Sequence, residues 1–249
     1  MPVFLDQIHI DHKTFPVLKI ILKDRKIVSI PTQIGCPVRC SFCISKDSVF
    51  ERNLTSEEMR LLAGNLDNNT ILSFTGEGEP LLNYKNINSI IESTNSVESF
   101  RICFSGLATR RLERISNKDR VRLQFSMHSP KNSVRSRLIT NTRPLEEIKE
   151  TLLMVDGLYK EIAINYVPMN GVNDSDEDID ALMEFVKPNW HVKINPLLDE
   201  TVGFTKSKRV DIIHDRLKEN GFLVSKYNKI GSTIKNDFYS YLTYSRVIK

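Results

Sequence analysis

Gly35-Cys36-Pro37-Val38-Arg39-Cys40-Ser41-Phe42-Cys43 is the stretch that decides how the rest of the chain is read. Three cysteines spaced C-x3-C-x2-C let a short loop turn its sulfurs onto one small inorganic centre, which a packed core would not require. Thiolates are the usual ligands of iron-sulfur clusters, and three of them on a four-iron cluster leave one iron open for chemistry. A zinc loop is the competing reading. Structural zinc takes four ligands, however, and this stretch supplies three with no histidine beside them, so the weight falls on a cluster.

Outward from the loop, the pattern alternates between strand and helix. The apolar runs 17–22 and 26–30, separated by Lys23-Asp24-Arg25, read as a hairpin leading into a first barrel strand that ends at the cysteine loop. Thr55-Ser56-Glu57-Glu58 is a capping box, and Met59, Leu62, Ala63 and Leu66 form the stripe of the helix it opens. Short apolar strands are predicted at 71–74, 100–104, 162–167 and 191–194, with Val121, Leu123, Phe125 and Met127 alternating as another. Helices are predicted at 86–94 and 109–115, along Leu145, Ile148, Leu152 and Val155, and along Ile179, Leu182, Met183 and Val186 behind a cap at Asp174 or Ser175. A last one follows Val210, Ile213 and Leu217.

Counted from Ile27 this gives about six βα units, which implies a parallel α/β sheet rather than a bundle or sandwich. A partial (β/α)6 TIM-like barrel fits: an N-terminal hairpin over 1–30, a barrel core over 31–196 and a C-terminal extension over 197–249 packed on the barrel. Loops after strand C-termini are where ligands collect in such folds, and the cysteine loop occupies one. The next, Thr75-Gly76-Glu77-Gly78-Glu79-Pro80, pairs glycines that admit close approach with carboxylates that accept from an ammonium group.

At 249 residues and 40% hydrophobic composition the chain can bury a substantial core. Its four cysteines, three of them clustered, are no disulfide framework and suit a reducing compartment. The start shows no secretory pattern and no long apolar run follows, so a soluble cytoplasmic protein without a membrane partner is expected. The net charge of +4 is uneven: residues 101–143 hold eleven Lys or Arg against Glu113 and Asp119. Such a basic sector suits an anionic small molecule or a nucleic acid, although solvated helix faces would read the same way.

Taken together, Gln33-Ile34-Gly35-Cys36 with Cys40 and Cys43, Gly78-Glu79-Pro80-Leu81-Leu82-Asn83, Ser105-Gly106, Ser126-Met127-His128-Ser129-Pro130 and 170–178 occur in the order of a known family. The chain resembles the radical S-adenosylmethionine (SAM) enzymes, and among them the RNA methyltransferases acting on carbon 2 or carbon 8 of adenine. The resemblance implies that Cys36, Cys40 and Cys43 ligate a [4Fe-4S] cluster whose fourth iron SAM chelates. It also implies that Phe42 lies beside the adenine, that Gly78 and Glu79 receive the SAM amino group, and that Ser105, Ser126, His128 and Asn173 complete the methionine and ribose contacts. Reductive cleavage of SAM would then give a 5′-deoxyadenosyl radical, with an electron donor such as flavodoxin or ferredoxin, in transferase or oxidoreductase chemistry. Read without the family, His128 is a core histidine, Ser105 and Ser126 are strand-end hydroxyls, and Asn173 is turn chemistry. Cys103 reads as a small buried hydrophobe and the acidic run 174–180 as helix capping.

The chain departs from the family at two points. The cysteine that resolves a covalent adduct, a few residues before the cluster, is matched by Ser29, and the methyl-carrying cysteine near the C-terminus by Phe238. No cysteine follows Cys103. An N-terminal accessory domain for RNA is also expected to be absent. Neither serine nor phenylalanine can form or release a methyl thioether, so the expectation is a different radical reaction on the same scaffold, with a nucleotide, nucleoside or RNA as substrate. A peptide or small metabolite as substrate, a non-catalytic cluster or SAM-binding sensor, and a zinc-stabilised nucleic-acid module are the alternatives.

Overall fold

The computed structural model describes residues 3–197 and 203–226. Strands β1 (Val3–Ile10), β2 (Lys13–Ile21) and β3 (Lys26–Ile30) form an antiparallel meander, so the N-terminal hairpin begins earlier than the apolar run at 17–22 suggests. The expected first barrel strand is β3, which pairs antiparallel with β2 and parallel with β6 (Thr70–Phe74). Between them lie a two-strand clip, β4 (Gln33–Ile34) with β5 (Arg52–Asn53), and helix α1 (Ser56–Ala63), opened by the Thr55/Glu58 capping box.

Beyond β6 the chain runs through α2 (Tyr84–Ser93), β7 (Ser99–Phe104), β8 (Val121–Ser126), α3 (Asn132–Leu138), α4 (Leu145–Met154), β9 (Glu161–Tyr166), α5 (Asp176–Phe185), β10 (His191–Ile194), α6 (Val210–Glu219) and β11 (Leu223–Lys226). Ser175, not Asp174, caps α5 in a box with Asp178. The sheet order is β1-β2-β3-β6-β7-β8-β9-β10-β11, with every neighbour from β3 onward parallel. The six predicted barrel strands are therefore present, and β11 adds another by pairing beside β10. The part of the extension over 223–226 thus lengthens the sheet at its edge.

One face of this sheet makes the core. Leu72 and Phe74, Phe100, Ile102 and Phe104, Leu123 and Phe125, Ile162 and Ile164, and Val192 and Ile194 join one cluster with helix residues such as Ile87, Ile148, Leu182 and Leu217. The alternate residues face the other way, into the barrel lumen: Ser29, Ser73, Arg101, Cys103, Arg122, Gln124, Ser126, Asn165 and Lys193. Parallel strands covered on both faces are usually apolar throughout. The polar residues here lie on the face that a barrel turns inward.

Candidate active site

The cysteine loop leaves β4 at the mouth of the barrel and is clamped from both sides. Gly35, at φ +75°, passes so close to the returning strand that a Cβ would sit 1.9 Å from the Val49 carbonyl oxygen, which only glycine allows. The loop then closes through the Cys36 amide to the Ser48 carbonyl (3.1 Å), the Cys43 amide to the Cys40 carbonyl (3.0 Å) and the Glu51 amide to the Ile34 carbonyl (2.9 Å). On its other side the segment after α3 holds it: the Ser41 amide donates to the Leu138 carbonyl (2.9 Å) and the Asn141 side chain to the Pro37 carbonyl (2.7 Å).

Glu77, which the sequence offered only as one of two loop acids, fastens this assembly. Its Oε1 accepts from the Ser48 hydroxyl (2.7 Å), the Lys13 ammonium and the Gly35 amide, tying the hairpin to the cysteine loop. Gln33 makes the next link, its Oε1 accepting from the Glu79 amide at 2.7 Å.

A second apolar cluster, separate from the main core, surrounds the cysteines. Val38, Leu138, Ile139, Val167, Met169 and Leu197 form it, with Cys36, Cys40 and Phe42 packed against it. Burial accordingly pushes the Cys36 thiol up to about 11 and holds that of Cys40 well above its ordinary value, and the neighbouring thiols and Glu79 add to the effect. Thiols in such a wall lose their protons when a cationic centre replaces them. None of the four cysteines is in a disulfide, and among the described residues no three His, Cys, Asp or Glu side chains are grouped as a single metal ion needs.

The remaining predicted residues gather at the same end. Phe42 and His128 meet edge to face with ring centroids 4.8 Å apart. His128 follows β8 in a left-handed conformation, φ +56°, which a non-glycine residue keeps only where its surroundings impose it. It is 4% exposed, its Nδ1 has no hydrogen-bond partner, and burial together with the nearby Arg135 drives its pKa down to about 3, so the ring is neutral. Gly78, at φ +108°, approaches Gln33 and Thr32 too closely for a side chain. Glu79 is 1% exposed; burial pushes its carboxyl up, opposed by the Ser105 amide (2.8 Å) and the Leu81 amide (3.3 Å) that donate to its two oxygens. Each carboxylate oxygen keeps a second lone pair, so a further donor can still be accepted.

Ser126 ends β8, and the buried Ser105 hydroxyl has no hydrogen-bond partner. Asn173 is more committed. Its amide donates to the His128 and Val167 carbonyls and accepts from the Met169 amide, so it fixes the loop that carries His128.

Arg135 is the residue that sequence reasoning misplaced. Counted there in the basic sector, it is 1% exposed on α3 and donates to the carbonyls of Met127 (3.0 Å), Ser126 (3.2 Å) and Ser105. One guanidinium thus fastens the ends of β7 and β8 beneath the cysteine loop. Burial lowers its pKa to about 10 while Cys40 and Glu79 favour its charge. Cys103 also differs from expectation: it is a half-buried thiol on the lumen face, accepting from the Thr75 hydroxyl at 2.7 Å. The position compared with the methyl-carrying cysteine, Phe238, lies outside the described residues.

The site is thus a cysteine loop at the mouth of a partial barrel, with a buried carboxylate and an imidazole behind it. A family model described as the Radical SAM superfamily matches residues 30–186. The chain belongs to the radical SAM superfamily. It is 31% identical over 230 residues to a probable dual-specificity RNA methyltransferase RlmN of Petrotoga mobilis, a match covering 85% of this chain and 66% of that protein. A protein of the same name from Thermotoga neapolitana is 30% identical over 245 residues, covering 90% and 71%. The chain thus spans about two thirds of the length of the curated relatives it matches.

Among solved structures, a radical SAM methyltransferase from Sphaerobacter thermophilus superposes with a TM-score of 0.79 at 23% identity, over 94% of this chain and 79% of the other. A spore photoproduct lyase superposes at 0.58 and 13% identity, over 80% and 76%. At these identities the likeness shows the fold, a radical SAM TIM-like barrel. This radical SAM protein is an enzyme, and its cofactors are SAM and a [4Fe-4S] cluster. The residues present fit that pair: three cysteines on one loop, two of them, Cys36 and Cys40, packed into an apolar wall, and unpartnered Ser105 Oγ and His128 Nδ1 buried behind it. Among the described residues no helix is long and apolar enough to cross a membrane.

Proposed function

We propose that this chain, through the core at 31–196, cleaves SAM reductively and turns the resulting radical on a nucleotide, nucleoside or RNA without a methyl-carrying cysteine. The observation that carries the reading is the convergence of the cysteine loop, Glu79 and His128 on one barrel mouth lined by the second apolar cluster. In this reading Cys36, Cys40 and Cys43 hold the cluster. Phe42, Gly78, Glu79, Ser105, Ser126 and His128 receive SAM, and Asn173 positions the His128 loop. When bound, the cluster and SAM together supply an electron and a 5′-deoxyadenosyl radical.

The protein's own work is placement and exclusion. Glu79, fixed by two backbone amides, offers its free lone pairs to an ammonium group. His128, kept neutral, presents Nδ1 as donor or acceptor, and the wall of Val38, Leu138, Ile139 and Met169 keeps water from the mouth.

The relatives named as RNA methyltransferases support a nucleic-acid type of substrate. Ser29 on the lumen face of β3 supports a route that needs no adduct-resolving cysteine. Clustered thiols outside any disulfide suit the cytoplasm, with flavodoxin or ferredoxin as electron donor. The test is anaerobic reconstitution with iron and sulfide, reduction, and addition of SAM. Production of 5′-deoxyadenosine is expected. Its absence with every reductant and nucleic-acid extract, in protein that holds about four irons, would leave only a sensor.

A further inference from the structure

The lumen holds charge that the cofactor site does not use. Its floor is an ion-pair network across the starts of β7 to β10. Arg122 donates to Glu98 (2.9 Å) and Glu161 (2.8 Å), Lys160 to Glu98 (2.8 Å), and Lys193, 5% exposed, pairs with Glu161 at 2.7 Å. His191 Nδ1 also reaches Glu161, at 3.2 Å.

Arg101 is the cation left over. Its Cα is paired in register with Ser73 on one side and Arg122 on the other, on the face away from Phe100 and Ile102. Among the described residues no ion pair or hydrogen bond engages it, and its Nε is sealed from solvent without a partner. Two positions up the same strand, Cys103 faces Gln124, whose Oε1 is a buried acceptor without a donor and so suits a hydroxyl or N–H of a ligand rather than its phosphate. Lys193 shares Glu161 with Arg122, the register partner of Arg101, which sets it on the same floor. A buried donor without a partner is costly to keep, and a planar fork of donors is the usual recogniser of carboxylate and phosphate.

We infer that Arg101, with Lys193 beside it, is an oxyanion subsite on the lumen floor that binds the terminal phosphate of a mononucleotide substrate, Gln124 above it accepting from the nucleoside. The inference rests on the proposed nucleotide-type substrate and narrows it. At about 3.3 Å per residue, Arg101 lies roughly 13 Å below Ser105 along the strand. The bridge network crosses the sheet at the level of Arg101, through its register partner Arg122, and at Glu98 before the start of β7, so Arg101 faces the last open stretch above the ion pairs. An internal phosphodiester of RNA would need a way on past the ion pairs; a phosphate monoester does not. A carboxylate shares the chemistry.

The experiment compares the full chain with Arg101→Gln, and with Arg110→Gln as an exposed variant from the same basic stretch. In phosphate-free buffer Arg101→Gln should melt at the same temperature as wild type or higher, because the substitution removes an unpaired charge. Inorganic phosphate should raise the melting temperature of wild type and Arg110→Gln but not of Arg101→Gln. By calorimetry, at least one ribonucleoside 5′-monophosphate should bind ten times tighter than its nucleoside, and Arg101→Gln should abolish that ratio. Acetate protecting as well as phosphate keeps the subsite and makes the natural group a carboxylate. Equal phosphate shifts in wild type and Arg101→Gln, or a loss confined to Arg110→Gln, overturn the assignment. SAM cleavage is assayed separately: phosphate binding at Arg101 in protein that makes no 5′-deoxyadenosine overturns the enzymatic reading alone, and cleavage without phosphate discrimination overturns the subsite alone.

Discussion

Leu123 and Gln124 are neighbours in β8 and belong to different problems. Leu123, with Phe125 two residues on, lies in the helix-covered core at 1% exposure or less, among Phe104, Ile164 and Phe185. Gln124 faces the lumen opposite Cys103 and Ala163, half-buried, with an acceptor that nothing satisfies. The first face is held by apolar area removed from water, and its residues agree with one another. The second keeps unpaired polar groups and a surplus cation that an apolar filling would make more stable. A sheet that tolerates this on one face only is built to receive something there.

The largest effect expected belongs to the mouth between the two faces. Cys40→Ala should lose the cluster and all SAM cleavage, read from iron and sulfide content and the visible spectrum. Melting of the cluster-free protein should stay close to that of wild type, since the thiol is a half-buried group packed against Phe42 and Ile139. A Cys40→Ala protein that still binds four irons per chain would separate the loop from the cofactor. Next comes the core face. Phe125→Ala should cost about 3–5 kcal/mol in urea unfolding, because its ring is fully buried against Phe104 and Phe185 and the cavity cannot collapse.

The same division explains what the sequence could tell. The core face was legible: Val121, Leu123 and Phe125 alternate, and the stripe Leu145, Ile148, Leu152 packs where its spacing says. The cysteine loop stood out as a candidate ligand site because its spacing serves no packing purpose. The lumen face was not, since Arg101 and Arg122 look in sequence like two more members of a solvated basic stretch, and only strand register turns both inward. Arg135 failed the same way. Its helix, α3, has only the pair Val134 and Leu138 to announce it, and the guanidinium is held by carbonyls at the ends of β7 and β8 that no sequence spacing brings to it. Glu77 was hidden because its partners come from β2 and the cysteine loop. Strand β1 carries Asp6, Gln7 and His9 among its apolar residues, and only its pairing with β2 makes it a strand.

On the lumen floor, Glu161 links the two faces to pH. Burial alone would raise its carboxyl, but His191, Lys193 and Arg122 outweigh that and hold it well below the usual range. The folded state therefore gives up this proton more readily than the unfolded chain, whose glutamate titrates near about 4.3. The bridge's contribution, roughly 2–3 kcal/mol, is complete above about pH 5 and is lost as pH falls toward the folded value. Glu161→Gln should lower stability at neutral pH by that order and flatten the fall between about pH 5 and pH 3. A variant that loses stability in parallel with wild type on acidification would place the acid-sensitive group elsewhere.

Gln124→Met should do least to stability, and its sign is the sharper test. The substitution keeps length and approximate volume while removing an acceptor that is sealed without a donor, a group whose burial costs about 1–3 kcal/mol when unmatched. If the lumen face is held open for a ligand, the variant should unfold within about 0.5 kcal/mol of wild type or somewhat later, and its affinity for a nucleoside monophosphate should fall. If Gln124 instead packs as part of a second core, the variant should lose stability on the scale of its neighbour Phe125→Ala, and the two faces of β8 would be energetically alike. Only the first result leaves the polar lumen to be explained by what enters it.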